Sequence, residues 1–214
     1  APMGTPIMAS GHGIIKKDSF FYVVDDESGI VLLDEEYAVR AKHPVPQGSR
    51  AHGLAWSEHS ECFYLACSYF DQVLEFSPEF KLIRRINVSS KVEQLQTPVH
   101  HVNDCVAFGG SIFVSMFSLT GNWKQDVFDG GVLEIDIQTG QIVGVIVRDL
   151  WMPHNVTLKQ GGFIVLDSLR GRYLKDNFQE VGVFPGFTRG FHYDNRYSYI
   201  CLLYTSPSPR DVST

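Results

Sequence analysis

Short hydrophobic runs separated by Gly, Asp, Asn and Ser recur along most of this chain. Phe20-Phe21-Tyr22-Val23-Val24, the turn Asp26-Glu27-Ser28-Gly29 and Ile30-Val31-Leu32-Leu33 read as a hairpin, because aromatic and β-branched runs bounded by turn formers favour strands. Leu54-Ala55-Trp56, Cys62 to Ala66, Gln72 to Phe76 and Leu82 to Ile86 then predict four successive strands. Val106-Ala107-Phe108, Ile112 to Met116, Gly131 to Asp136 and Ile142 to Val147 predict four more. In that group Glu134 and Asp136 alternate with Leu133 and Ile135, the period of a strand with one solvated face. A fourth group runs from Val156 through Phe163 to Ser168 and ends near Phe184, and a fifth starts at Thr188.

Each group opens on a similar phrase, a polar and chemically capable side chain set just before an apolar run. Aligned on His12, His52, Asp104, His154 and Arg189, the phrases recur after 40, 52, 50 and 35 residues. That is the period of a blade-like repeat, and four short strands in one repeat make one propeller blade. The expected fold is therefore all-β, an incomplete β-propeller of four blades plus the start of a fifth, with the phrase residues near its axis. The partial propeller is assigned to residues 1–201. Residues 202–214, with Pro207 and Pro209 removing ladder donors, resemble translated sequencing adaptor and are read as a non-native tail.

Composition narrows the partners. The 214 residues are 44% hydrophobic and 20% charged, and 24 acidic against 18 basic side chains leave a formal charge of −6. Nucleic acid is disfavoured, since phosphate contacts need clustered Lys and Arg. No stretch has the apolar length of a membrane span, and Ala1 to Ser10 lacks a basic region followed by an apolar one, so no signal peptide is read there. Cys62, Cys67, Cys105 and Cys201 have no metal-site spacing and are read as buried free thiols, which fits the cytoplasm.

His101-Val102-Asn103-Asp104, Ser115-Met116-Phe117-Ser118, Gly121-Asn122-Trp123, Asp129 to Glu134, Arg148 to His154, Leu166-Asp167-Ser168 and Pro185 to Gly190 resemble an uncharacterised family of six-bladed β-propellers, a conserved domain of unknown function. The resemblance covers a little under half the chain and implies a fold and a six-bladed parent, not a reaction. More distantly the arrangement is similar to gluconolactonase and senescence-marker propellers. That likeness implies an axial divalent cation such as calcium, held here by Asn103, Asn155 and Asp167, although the first blade offers His12 where an acidic ligand is expected.

The residues themselves suggest chemistry at the axis. Asp167 is expected to reach His154 from the neighbouring strand end, and a carboxylate that fixes an imidazole tautomer makes His154 a candidate general base. The same pair also serves as simple polar satisfaction in a narrow channel. Arg189 offers a fork of donors for a carboxylate or phosphate, or an ion pair with Asp149 or Asp167. His12, His52, His101 and Asp104 are the further candidate ligand contacts. Trp123, in the insertion from Ser118 to Asp129, is a stacking surface for a sugar or a cap on the blade edge. These features favour an axial site for a small polar or anionic molecule or a glycan, with hydrolysis or elimination as the chemistry: His154 takes the proton and Arg189 binds negative charge. The alternative is a non-catalytic protein-interaction propeller.

Overall fold

The computed structural model describes residues 8, 10–95, 97–159, 161–194 and 196–203. Four antiparallel four-stranded sheets follow one another along the chain: β1–β4 (Gly11–Lys17, Phe20–Asp25, Gly29–Leu33, Val39–His43), β5–β8 (Ala51–Ser57, Cys62–Cys67, Gln72–Phe76, Leu82–Asn87), β9–β12 (Val102–Phe108, Ser111–Met116, Gly130–Asp136, Ile142–Leu150) and β13–β16 (Pro153–Lys159, Gly162–Asp167, Arg172–Asp176, Gln179–Val183). A two-stranded sheet, β17 (Phe187–Tyr193) with β18 (Ser198–Leu203), begins a fifth. This is the expected all-β arrangement of four propeller blades and part of another. β18 pairs through Leu202 and Leu203 with Thr188 and Phe187, while residues 204–214 of the predicted tail lie outside the described residues.

Strand period explains why the middle strands read as nearly continuous apolar runs. Successive side chains leave opposite faces, and each face of an inner blade meets a neighbour. In β6, Phe63 and Leu65 pack with Val24 and Ile30 of the first blade, whereas Tyr64 and Ala66 pack with Val102, Ile112 and Val114 of the third. In β10, Phe113 turns the other way to meet Val156 and Val165 of the fourth. Ile164 and Leu166 continue the series against Phe191 and Ile200. The core is therefore a set of interblade seams. Among the described residues no helix is long and apolar enough to cross a membrane.

Three cysteines are buried as expected, but Cys201 is exposed, because its strand belongs to the incomplete sheet. One short helix, α1 (Ser90–Leu95), links the second and third blades.

The first strand of each blade lies against the first strand of the next, closely enough to demand glycine at two places. A Cβ on Gly13 would collide with the His52 carbonyl oxygen; one on Gly53 would stand 2.6 Å from the Asp104 Cα and 2.8 Å from the Cys105 amide nitrogen. The Asp104 carboxylate also blocks the position and could turn, but the two backbone atoms cannot swing aside. Gly53→Ala is therefore expected to destabilise the protein by about 2–3 kcal/mol, measured by urea unfolding; an unchanged midpoint would show that β5 and β9 are not in this contact.

Candidate functional site

Each first strand carries a bulge near its start. The ladder slips between Gly11 and Ile14, Ala51 and Leu54, Val102 and Cys105, His154 and Thr157, and Thr188 and Gly190. An extra residue twists the strand and re-aims its side chains. Counted from the pair that closes each ladder, Gly11 with Asp25, Ala51 with Cys67, Val102 with Met116 and Pro153 with Asp167, the equivalent positions are His12, His52, Asn103 and His154, and Arg189 takes the bulge of β17. The alignment expected from sequence is corrected by one residue in one blade: Asn103 replaces Asp104.

Just before three of these strands the backbone is left-handed, at Arg50 (φ +42°), His101 (φ +53°) and Met152 (φ +52°). Such a conformation costs about 1–3 kcal/mol in a non-glycine residue and persists only where the surroundings impose it. Here they do. The Arg50 carbonyl accepts the Ser68 amide at 3.1 Å and its hydroxyl at 2.9 Å. Buried Asp71 brackets His101, its Oδ2 accepting from the amides of Val99 (2.5 Å) and His100 (2.8 Å) and its Oδ1 from Val102 (3.3 Å). Asp167 Oδ1 accepts the Trp151 amide at 2.6 Å, and the Met152 carbonyl accepts from His154 Nδ1 at 2.9 Å.

These clamps set a row of rings across the axis. His12 and His52 have ring centroids 4.4 Å apart, and His52 and His101 5.8 Å. His101 stacks on Phe117 at 4.1 Å; Phe117 and Phe187 each lie 5.3 Å from His154. Arg189 Nη2 donates to His12 Nδ1 at 3.2 Å, and His12 Nε2 donates to Asp26 Oδ2 at 3.0 Å. This pattern places the His12 proton on Nε2 and orients the guanidinium. His154 has the opposite tautomer: Nδ1–H faces the Met152 carbonyl and the Ser168 hydroxyl, both 2.9 Å away, which leaves its Nε2 lone pair as the acceptor.

The row is electrically unusual. Burial pushes His101 and His154 down to about 3, helped by Arg189 in both cases and by Arg50 at His101. Burial and the neighbouring imidazoles hold His52 well below its ordinary value. Burial and the field of Arg50 also lower Arg189. Half-buried Arg50 and Arg189 have no ion pair with a carboxylate among the described residues; Arg50 Nη1 donates instead to the Tyr69 hydroxyl at 2.6 Å. Around them, His52 Nε2, His101 Nδ1, Asn103 Nδ2, Trp123 Nε1 and Thr188 Oγ1 are buried without a hydrogen-bond partner.

The structure thus brings together His12, His52, His101, His154 and Arg189. It keeps both aspartates out. Asp167, fully buried, is expected beside His154 but faces away from it: its Oδ2 accepts from Arg172 Nε at 2.9 Å, from Arg172 Nη2 and from Arg170 Nη1 at 3.3 Å. Asp104 lies toward the other end, where the first strands finish, and lines a cavity of about 610 Å³ with Asn155 and Lys159. It accepts the Cys105 amide at 2.9 Å, and burial raises it to about 7.

The proposed cation set does not fit. Both oxygens of Asp167 are taken, the Asn155 Oδ1 accepts the Phe191 amide at 3.2 Å, and among the described residues no three His, Cys, Asp or Glu side chains are grouped to hold a metal ion. Trp123 opens a one-turn 3₁₀ helix in the insertion, but its ring is turned inward, 7% exposed, edge-on to His101. That orientation follows from the apolar cluster it joins with Phe117, Met152 and Phe187. It presents no open face for sugar stacking.

Sequence reasoning missed Arg50, Asp26 and Tyr69. Arg50 stands directly before the second repeat phrase, so its position was a usable signal. Asp26 and Tyr69 lie in turns after second strands, where only the folded register shows them reaching the axis.

No family model matches the chain, and no curated protein does. Solved structures match its fold: virginiamycin B lyase from Staphylococcus aureus (TM-score 0.62, 8% identity, 90% of this chain and 62% of that one), the computationally designed Ika8 protein (0.58, 10%, 90% and 55%) and the Cps50 (Swd1) β-propeller domain of Myceliophteria thermophila (0.57, 13%, 91% and 64%). The chain spans less than two thirds of each. At these identities the likeness shows a propeller fold and nothing of activity.

Proposed function

We propose that the axial mouth, where the first strands begin, binds a small organic anion. One observation carries this reading: Arg50 and Arg189 are half-buried, and burial together with the field of Arg50 lowers the proton affinity of Arg189, yet neither forms an ion pair with a carboxylate among the described residues and Asp26 reaches Arg189 only through the His12 ring. Partly desolvated like charges destabilise a fold unless something compensates them. The buried donors beside them, Asn103 Nδ2 and Trp123 Nε1, suit the oxygens of a carboxylate or phosphate. The sequence resemblance adds a six-bladed parent ring to this proposal, which a structure of a longer chain would count.

Titration with valerate and with inorganic phosphate, followed through the imidazole proton resonances, tests it. Binding is expected to shift the His101 and His154 signals and raise the pH at which they titrate, because an anion reverses the field of the arginines. Arg189→Gln should weaken binding at least about tenfold, as expected for a lost charged hydrogen bond. Unmoved signals with both ligands in the millimolar range would overturn the proposal.

A second reading, proton transfer, is favoured by the fixed tautomer of His154. Its Nε2 lone pair accepts a proton more readily once an anion has offset Arg189, which supports hydrolysis or elimination on the bound anion. In that case His154→Gln abolishes turnover and leaves binding in place; loss of both would reduce His154 to a packing role.

A further inference from the structure

Ser89 and His100 meet outside the axial row, in the segment that joins the second and third blades. Ser89 lies between β8 and α1 and His100 just ahead of β9, and the Ser89 hydroxyl oxygen stands 2.6 Å from His100 Nε2. The other ring nitrogen fixes the proton. Nδ1 lies 2.8 Å from the Ser118 backbone carbonyl, which only accepts, so Nδ1 carries the hydrogen and Nε2 presents its lone pair to the serine. The hydrogen bond therefore runs from serine to imidazole, the direction that activates an oxygen nucleophile.

Backbone and ring of the histidine are both pinned. The Ser118 amide donates back to the His100 carbonyl at 3.1 Å, the His100 amide donates to Asp71 Oδ2 at 2.8 Å, and a Cβ on Gly121 would stand 3.1 Å from His100 Cε1. His100 is buried, whereas Ser89 is only half-buried. Ser89 belongs to the wall of a cavity of about 450 Å³, between β8 and the turn ahead of β12, with Arg85, Asn87 and Thr139. The base is thus sheltered while the nucleophile borders space that a small molecule can enter.

We infer that Ser89 is a nucleophile toward small acyl esters, with His100 as its general base. The serine oxygen attacks the ester carbonyl as its proton passes to Nε2; the carbon–oxygen bond to the alcohol breaks, and Nε2 hands the proton to the departing alkoxide. Water then attacks the acyl-serine and gives a proton to Nε2, which restores the serine hydroxyl as the free acid leaves. The Ser118 carbonyl stands where a carboxylate stabilises the imidazolium in a full triad. A dipole does less than a charge there, so the substrate class is esters of acidic alcohols and phenols, not amides.

Diisopropyl fluorophosphate reports the first half of this chemistry, since an oxygen–phosphorus bond forms and fluoride leaves. Peptide mapping by mass spectrometry is expected to place the adduct on Ser89 at least about a hundredfold faster than on its exposed neighbour Ser90, the low end of what a general base supplies. That comparison uses the unsubstituted protein and needs no variant to fold. His100→Gln should erase the advantage, and turnover of p-nitrophenyl acetate should fall to the spontaneous rate in Ser89→Ala. An unlabelled Ser89, a Ser89 labelled no faster than Ser90, or labelling unchanged in a folded His100→Gln protein would overturn the pair as a nucleophile and its base. Equal ester turnover by native protein and Ser89→Ala would overturn the ester assignment.

Discussion

Between pH 6 and pH 4 the protein is expected to lose folding stability at about 2.7 kcal/mol per pH unit. His52, His101 and His154 are buried in their neutral form, the latter two with values of about 3, while the unfolded chain takes up those protons near pH 6.5. A group whose folded value is depressed contributes stability that is complete above its unfolded value and is lost as pH falls. Asp104 works in the opposite sense. Raised to about 7, it keeps its proton in the fold while the unfolded chain releases it above about pH 4, so it favours the fold more as pH falls through the same window. Three protons against one leave two net. Over those two units the loss is about 5 kcal/mol, the lower end of the about 5–15 kcal/mol total stability of most domains, so the urea midpoint is expected to fall steeply toward pH 4. Urea midpoints taken at half-unit steps of pH measure the slope. His101→Phe preserves the stacking on Phe117 and removes one titrating group, so the slope should fall to about 1.4 kcal/mol per unit. A slope unchanged by that substitution would mean that the His101 ring is solvated in the native protein.

The parts of the molecule that could be read from sequence are those that depend on period and residue type. Apolar runs such as Cys62 to Ala66 announce strands regardless of what packs on them, and the recurrence of the opening phrase announces blades. The identity of the axial residue is a matter of register, and a bulge shifts register by one. That is why Asp104 looks equivalent to His52 along the chain, whereas Asn103 takes that place in the ladder. Arg50 was hidden for a different reason: its role depends on a left-handed backbone imposed by Ser68, a residue of the adjoining strand end. The inward turn of Trp123 likewise depends on Met152 and Phe187, contributed by later blades. By contrast, the fate of Asp167 was partly visible. Asp167 and Arg172 flank a short hairpin and are directly paired across it, and opposite charges at paired positions of neighbouring strands attract one another.

Asp167 accordingly yields the sharpest contrast between a chemical and an architectural role. Its carboxylate is fully buried, binds Arg172 through two guanidinium nitrogens, reaches Arg170 and holds the Trp151 amide just ahead of the left-handed turn at Met152. Asp167→Ala leaves partly buried Arg172 without its main partner and frees the segment that aims His154. Removing one member of a buried ion pair costs about 3–5 kcal/mol, so Tm should drop by about 10 °C. Asp167→Asn keeps an acceptor for Trp151 but loses the charge, and its loss should be intermediate. The double replacement Asp167→Leu with Arg172→Met removes both charges and should recover much of the stability, since an apolar pair of similar volume avoids the desolvation that the ions incur. Differential scanning calorimetry on the three variants distinguishes the roles. A group acting on ligand at the axis would instead give variants of nearly native Tm whose anion binding is lost, and that outcome would return Asp167 to the site and remove it from the blade.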